Sequence, residues 1–173
     1  MTNPIKFGTD GWRAIIGDAF TFDNVRIAAQ ATAQYMATVK DTERAVFIGY
    51  DGRFLSNRFA RAAAEVFAGN GFRTLLMDRA YPTPYISFEV RRRKFAGGVV
   101  ITASHNPADF NGFKIKAHFG GSATPAITAE VKRISADRRS CRPPRALMSS
   151  GQRPTTLSIC EGLWIGTASR SPV

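Results

Sequence analysis

Cysteine, long apolar runs and acidic residues are all scarce in this chain, and each scarcity removes a class of protein. The two cysteines, Cys141 and Cys160, stand singly and far apart, without the paired spacing of a zinc site or a thioredoxin-like motif. No apolar run nears the roughly 20 residues of a membrane-spanning helix. The opening Met1-Thr2-Asn3-Pro4-Ile5-Lys6 lacks the charged-then-apolar layout of a secretory signal, so a soluble cytoplasmic protein is expected by default. Acidic residues number 13 against 24 lysines and arginines, a formal net charge of +11, which ordinarily points to nucleic acid or an anionic membrane. The placing of that charge argues otherwise. Residues 1–135 carry +7 and the last 38 residues +4, scattered and without interleaved stacking aromatics. The one dense run, Arg91-Arg92-Arg93-Lys94, reads as the solvated end of a helix. Neither nucleic acid nor membrane is an expected partner.

What is present is enough for one ordinary core: 173 residues, 44% of them hydrophobic. From residue 21 to about 135, helix-like and strand-like segments alternate, the pattern of an α/β layer fold. Val25, Ile27, Ala28, Ala31, Tyr35 and Met36 recur at helical spacing and predict a helix over 23–39, with Asp23 able to cap it. The continuous apolar run from Ala45 predicts a strand over 45–50 that is covered on both faces. A helix is expected next, over 56–68, capped by Ser56 and stopped by Gly69-Asn70-Gly71. Further strands are expected at 72–77, 97–102 and 112–116. Further helices are expected at 83–93, with Pro84 in the first turn, and at 124–134, with Thr124 as cap and Pro125 at the first position. Trp12, Phe47 and Phe72 read as packing residues.

Beyond about residue 135 the period is lost, and Ser, Arg, Pro and Thr dominate much of the remaining chain. The chain therefore divides into a domain over 1–135 and a basic tail over 136–173. The tail is expected to be disordered, because it buries too little apolar surface to offset its ordering entropy, or to be the product of a shifted reading frame.

The segment Val99-Val100-Ile101-Thr102-Ala103-Ser104-His105-Asn106-Pro107, succeeded by Asn111, Gly112 and Lys114, puts a serine in a polar loop just past a buried strand. Ligands of open α/β sheets collect outside the carboxyl ends of the strands. A hydroxyl there with a cation in the same loop system suits a covalent phosphate carrier. An ordinary Ser-His-Asn-Pro turn uses the same residue types. A Ser-His pair also occurs in hydrolases, but the Gly-x-Ser-x-Gly elbow is missing and a neighbouring His seldom points at the preceding side chain.

Three ordered motifs carry a resemblance: Phe7-Gly8-Thr9-Asp10-Gly11-Trp12-Arg13, then Gly49-Tyr50-Asp51-Gly52-Arg53 with Ser56, then Thr102 to Pro107 with Asn111, Gly112 and Lys114. Over residues 4–134 the chain resembles the first domain of the α-D-phosphohexomutases, in the phosphoglucomutase/phosphomannomutase branch. The resemblance implies a three-layer α/β/α domain with a mixed, mostly parallel sheet. It implies that Ser104 is phosphorylated and exchanges phosphate with a hexose phosphate through a hexose 1,6-bisphosphate. Lys114 and Arg13 would flank the transferring group and His105 would orient phosphate or sugar. Thr102, Asn106, Asn111, Asp51 and Arg53 would support the loop or the phosphate.

The resemblance also implies Mg2+, bound through the Ser104 phosphate and three aspartates of an Asp-Gly-Asp-x-Asp-Arg motif. That motif does not occur in this sequence, nor do the sugar- and phosphate-recognition loops of the family's later domains. One serine phosphate with water holds Mg2+ poorly, so the expectation is a fragment inactive by itself. The alternative is a noncatalytic phosphosugar- or anion-binding domain whose basic tail contacts nucleic acid or a partner.

Overall fold

The computed structural model describes residues 5–8, 11–137 and 155–157. Six strands form one sheet in the order β1-β5-β4-β2-β3-β6, where β1 is Trp12–Ile15, β2 Glu43–Tyr50, β3 Arg73–Met77, β4 Phe95–Ile101, β5 Phe110–Ala117 and β6 Thr155–Leu157. The strands β4, β2, β3 and β6 run parallel, while β5 is antiparallel to β4 and to β1. The helices are α1 (Phe22–Met36), α2 (Ser56–Gly69), α3 (Thr83–Arg92) and α4 (Pro125–Ala136).

Continuous apolar strands need cover on both faces, and they receive it. Val46, Ile48, Leu76, Val99 and Ile101 pack with buried residues of α1, α2 and α4. Their neighbours Ala45, Phe47, Leu75, Met77 and Val100 point the other way, onto Ile86 and Val90 of α3. The result is the expected three-layer α/β/α arrangement, with a single helix on the second face. Gly97 and Gly98 let both layers come close: a Cβ at Gly97 would stand 2.3 Å from Met36 Cε, and one at Gly98 would stand 2.8 Å from Val90 Cγ2. Trp12, Phe47 and Phe72 are buried, at 1%, 1% and 4% exposure.

Local details depart from the expectations. The α1 cap is Thr21, whose hydroxyl accepts from Asn24 N; Asp23 lies inside the first turn and pairs with Arg26. Helix α1 ends at Met36 rather than at residue 39. Ser56 does not cap α2: Leu55 holds that position with a left-handed backbone and no side-chain cap, because the Ser56 hydroxyl is drawn to Asp51 instead. Strand β1 was not expected; its four residues come directly after a positive-φ Gly11 and are defined by pairing with β5, a tertiary partner. Of the basic run, Arg92 and Arg93 both donate to the buried Glu89, so the run is partly ion-paired and not wholly solvated. The tail expected over 136–173 lies largely outside the described residues; residues 155–157 add an edge strand alongside β3.

Candidate active site

The carboxyl ends of β2 and β4 lie side by side in the sheet, and the loops leaving them build the site. At the end of β4 the ladder continues one step, Thr102 N donating to Gly112 O. The chain then turns sharply. Ala103 is buried while Ser104 and His105 are exposed, and Ser104 adopts φ 58°. A non-glycine residue in this left-handed region costs energy that its surroundings must offset. Two bonds help: Ser104 N donates to Thr102 Oγ1 at 3.0 Å, and Asn106 N donates to Ala103 O. The Ser104 hydroxyl is presented to solvent, with His105 Nδ1 at 3.4 Å. The histidine ring does turn back toward the preceding serine, contrary to expectation, though at the long end of hydrogen-bond range.

Beneath the loop lies Arg53, from the corner between β2 and α2. Its Nη1 donates to Pro107 O at 2.7 Å and Phe110 O at 3.0 Å. Its Nη2 donates to Ser104 O at 2.8 Å and Asn106 O at 2.6 Å. Nε lies 3.4 Å from Asp51 Oδ2. The other Asp51 oxygen accepts from Arg53 N and from Ser56 Oγ. Asn111 Nδ2 donates to Ser56 Oγ at 2.9 Å and to Phe54 O at 3.3 Å, and Asn111 Oδ1 accepts from Gly112 N. Asp51, Arg53, the loop, Asn111 and Ser56 thus close a hydrogen-bonded circuit. Ser56, with 0% exposure, was read as a helix cap and as part of the second motif, without a role in the site. Its place three residues past Arg53 in that motif was the signal for such a role.

Arg13 reaches the loop from the other side, Nη1 donating to Asn106 Oδ1 at 3.1 Å. The path depends on Gly112, the partner of Arg13 across β1 and β5. A Cβ there would sit 3.0 Å from Arg13 Cγ and 2.5 Å from Thr102 O. Gly11 allows the same closeness just before β1: with φ 104°, its absent Cβ would meet Phe113 O at 2.5 Å. Lys114 is two residues beyond Gly112, opposite Val100, and so shares the sheet face of Gly112 and Arg13; it is 9% exposed. The structure therefore gathers Ser104, His105, Asn106, Thr102, Arg13, Asp51, Arg53 and Asn111 around one loop and places Lys114 on the sheet face that Arg13 shares. Among the described residues no group of three or more His, Cys, Asp or Glu could hold a metal, and the Asp51 carboxylate is engaged by Arg53 and Ser56.

Residues 4–141 match the family described as phosphoglucomutase/phosphomannomutase, alpha/beta/alpha domain I. The "Probable phosphoribomutase" of Schizosaccharomyces pombe is 42% identical over 137 residues, covering 76% of this chain and 23% of that protein. The phosphoglucomutase of Staphylococcus saprophyticus is 38% identical over 133 residues, covering 73% and 23%. A crystal structure from Thermus thermophilus, of a protein assigned as a phosphomannomutase, aligns with a TM-score of 0.77 at 38% identity, covering 94% of this chain and 35% of that one. The chain belongs to the phosphoglucomutase/phosphomannomutase family, as its α/β/α domain I. It spans 23% of the length of the two curated relatives. No helix among the described residues is long and apolar enough to cross a membrane.

Proposed function

We propose that this domain carries the phosphoserine of a sugar-phosphate mutase, with Ser104 as the phosphoryl carrier. The observation that carries the reading is the exposed Ser104 hydroxyl, held at positive φ past the carboxyl end of β4. Beside it, Arg13 is bonded into the same loop. In the transfer a sugar hydroxyl oxygen attacks phosphorus, the bond from phosphorus to Ser104 Oγ breaks, and Oγ regains a proton as the sugar gives one up. The bisphosphate so formed returns its other phosphate to Ser104, exchanging the 1- and 6-positions of a hexose phosphate.

Arg13, permanently charged, stabilises the transferring group electrostatically, and Lys114 supplies a second cation on the same sheet face. His105 and Asn106 orient the phosphate or the sugar. Thr102, Asp51 and Asn111 act on the loop rather than on the substrate. Mg2+ would neutralise the phosphoryl oxygens with the Ser104 phosphate as one ligand, and among the described residues no group of three or more His, Cys, Asp or Glu could complete its coordination. A phosphosugar substrate goes with a cytoplasmic protein. The relatives' names include phosphoribomutase and phosphoglucomutase, so the proposal extends to the class of sugar phosphates and names no particular sugar.

We propose further that the basic tail over 136–173 is the product of a shifted reading frame, setting in past the family match that runs to residue 141. Translating the encoding DNA in its other frames tests this. An Asp-Gly-Asp-x-Asp-Arg motif downstream supports it, and none in any frame overturns it. The carrier assignment is tested by replacing domain I of the Staphylococcus saprophyticus enzyme with residues 4–137 and exposing the chimera to glucose 1,6-bisphosphate. Intact mass and fragmentation should place one phosphate on Ser104; a phosphate on Thr102 overturns the assignment.

A further inference from the structure

The four Nη N–H donors of Arg53 meet four carbonyls of the loop, and Nε lies in an ion pair 3.4 Å from a carboxylate oxygen of Asp51. The four carbonyls belong to residues 104, 106, 107 and 110, so a single planar group spans the loop from the serine to the first residue of β5. The guanidinium is held in place by Asp51, which also binds Arg53 N, and its side chain is 15% exposed. The two Nη atoms, the ends of the fork that would grip a phosphate, are both engaged by loop carbonyls. The resemblance left Arg53 supporting either the loop or the phosphate, and the hydrogen bonds favour the loop.

We infer that Arg53 is a positioning residue, a strut that sets the backbone of residues 104–110 and holds Ser104 at positive φ within this domain alone, without substrate, metal or any further domain. The planar fork is what the task requires. Four carbonyls converge on two nitrogens of fixed relative direction, and a lysine ammonium, with three donors on a flexible stem, keeps the charge but not the fork. The carbonyls would otherwise repel one another on the concave side of the loop. The Asp51-Ser56-Asn111 side of the circuit ties the strut to the start of β5, so both ends of the loop are referred to one arginine. The inference concerns the resting shape of the loop and stands independently of whether Ser104 carries phosphate.

The test is made on this chain and needs no turnover. Nuclear magnetic resonance of the unmodified protein should show the Arg53 guanidinium with slowed rotation about Nε–Cζ and resolved Nη protons. The Ser104 three-bond HN–Hα coupling and Cα shift should report positive φ. In Arg53→Lys and Arg53→Gln alike, the positive-φ signature should vanish, and amide exchange across residues 104–110 should speed up at least about tenfold. Exchange in β2, β3 and β4 should stay unchanged. Free rotation of the Arg53 guanidinium in the unmodified protein would overturn the inference. So would Arg53→Lys retaining the Ser104 signature, which would mark a role of charge alone, or a uniform rise in exchange across the sheet, which would mark a general stabilising role.

Discussion

Two charged clusters of this domain are inverses of each other. Around Arg53, one cation is surrounded by five oxygens at the end of the sheet, and the atoms it binds are chiefly backbone atoms of the loop that presents Ser104. Around Glu89, one buried carboxylate, 2% exposed, is surrounded by two cations: Arg92 at 2.8 Å and Arg93 at 2.6 Å. Glu89 sits in α3 and its partners stand at i+3 and i+4, at the end of the same helix, so the cluster stabilises one local element. Arg53 binds loop carbonyls 51 to 57 residues away and constrains a loop joining two strands. A charge satisfied locally supports a helix, whereas a charge satisfied by distant carbonyls shapes a site.

The comparison breaks most sharply at Ser104. In the chimera, Ser104→Ala should abolish phosphate incorporation and turnover, while the urea midpoint of this chain stays within error, because an exposed hydroxyl contributes little to packing. Intact mass and chemical denaturation check both halves. Lys114→Ala should leave the serine able to accept phosphate yet slow turnover by about 10²-fold, the usual cost of one electrostatic stabiliser; a rate within twofold of the parent removes Lys114 from the mechanism.

Smaller effects separate packing from chemistry. Gly112→Ala drives a methyl against Thr102 O and Arg13 Cγ and should cost about 1–3 kcal/mol, with slower turnover as Arg13 is displaced. Denaturation and chimera kinetics together check it, and loss of stability with unchanged kinetics would separate Gly112 from the site.

Glu89→Gln should cost about 1–2 kcal/mol at neutral pH, as charge-assisted bonds are exchanged for weaker ones. Burial alone would raise the Glu89 pKa, but the hydrogen bonds from Arg92 and Arg93 outweigh it and hold it below the usual 4.5. A lowered folded value means that stability is fully present above about pH 4.5 and is lost as pH falls through the folded value. The gap between parent and Glu89→Gln should therefore close on acidification below that pH. A gap constant from pH 7 to pH 3 would show that the carboxylate charge is not what α3 uses.

The chain's periodicities were enough to locate four helices and four of the strands, since each is a run whose spacing or continuity reflects its own burial. Strand β1 escaped because four residues, Trp12–Ile15, make too short a pattern. Its evidence lies on β5, about a hundred residues away. The caps failed for a related reason. Asp23 and Ser56 are the right residue types, but Thr21 took the cap of α1 two residues earlier, and at α2 a buried hydroxyl found Asp51 and Asn111.

Serine, histidine, lysine and arginine in three ordered motifs marked the candidates for the site from the sequence, because those side chains are the ones phosphoryl chemistry employs. The division of labour among them was decided by the folded chain. Arg13 and Arg53 are the same residue type in comparable motifs, yet Arg13 reaches the loop's Asn106 side chain across Gly112 while Arg53 is consumed by four backbone carbonyls. A sequence specifies which donors exist. Which acceptors they meet depends on how β1, β2, β4 and β5 are laid side by side, because hydrogen bonds are short and directional and only the assembled sheet brings residues 53 and 104 within reach.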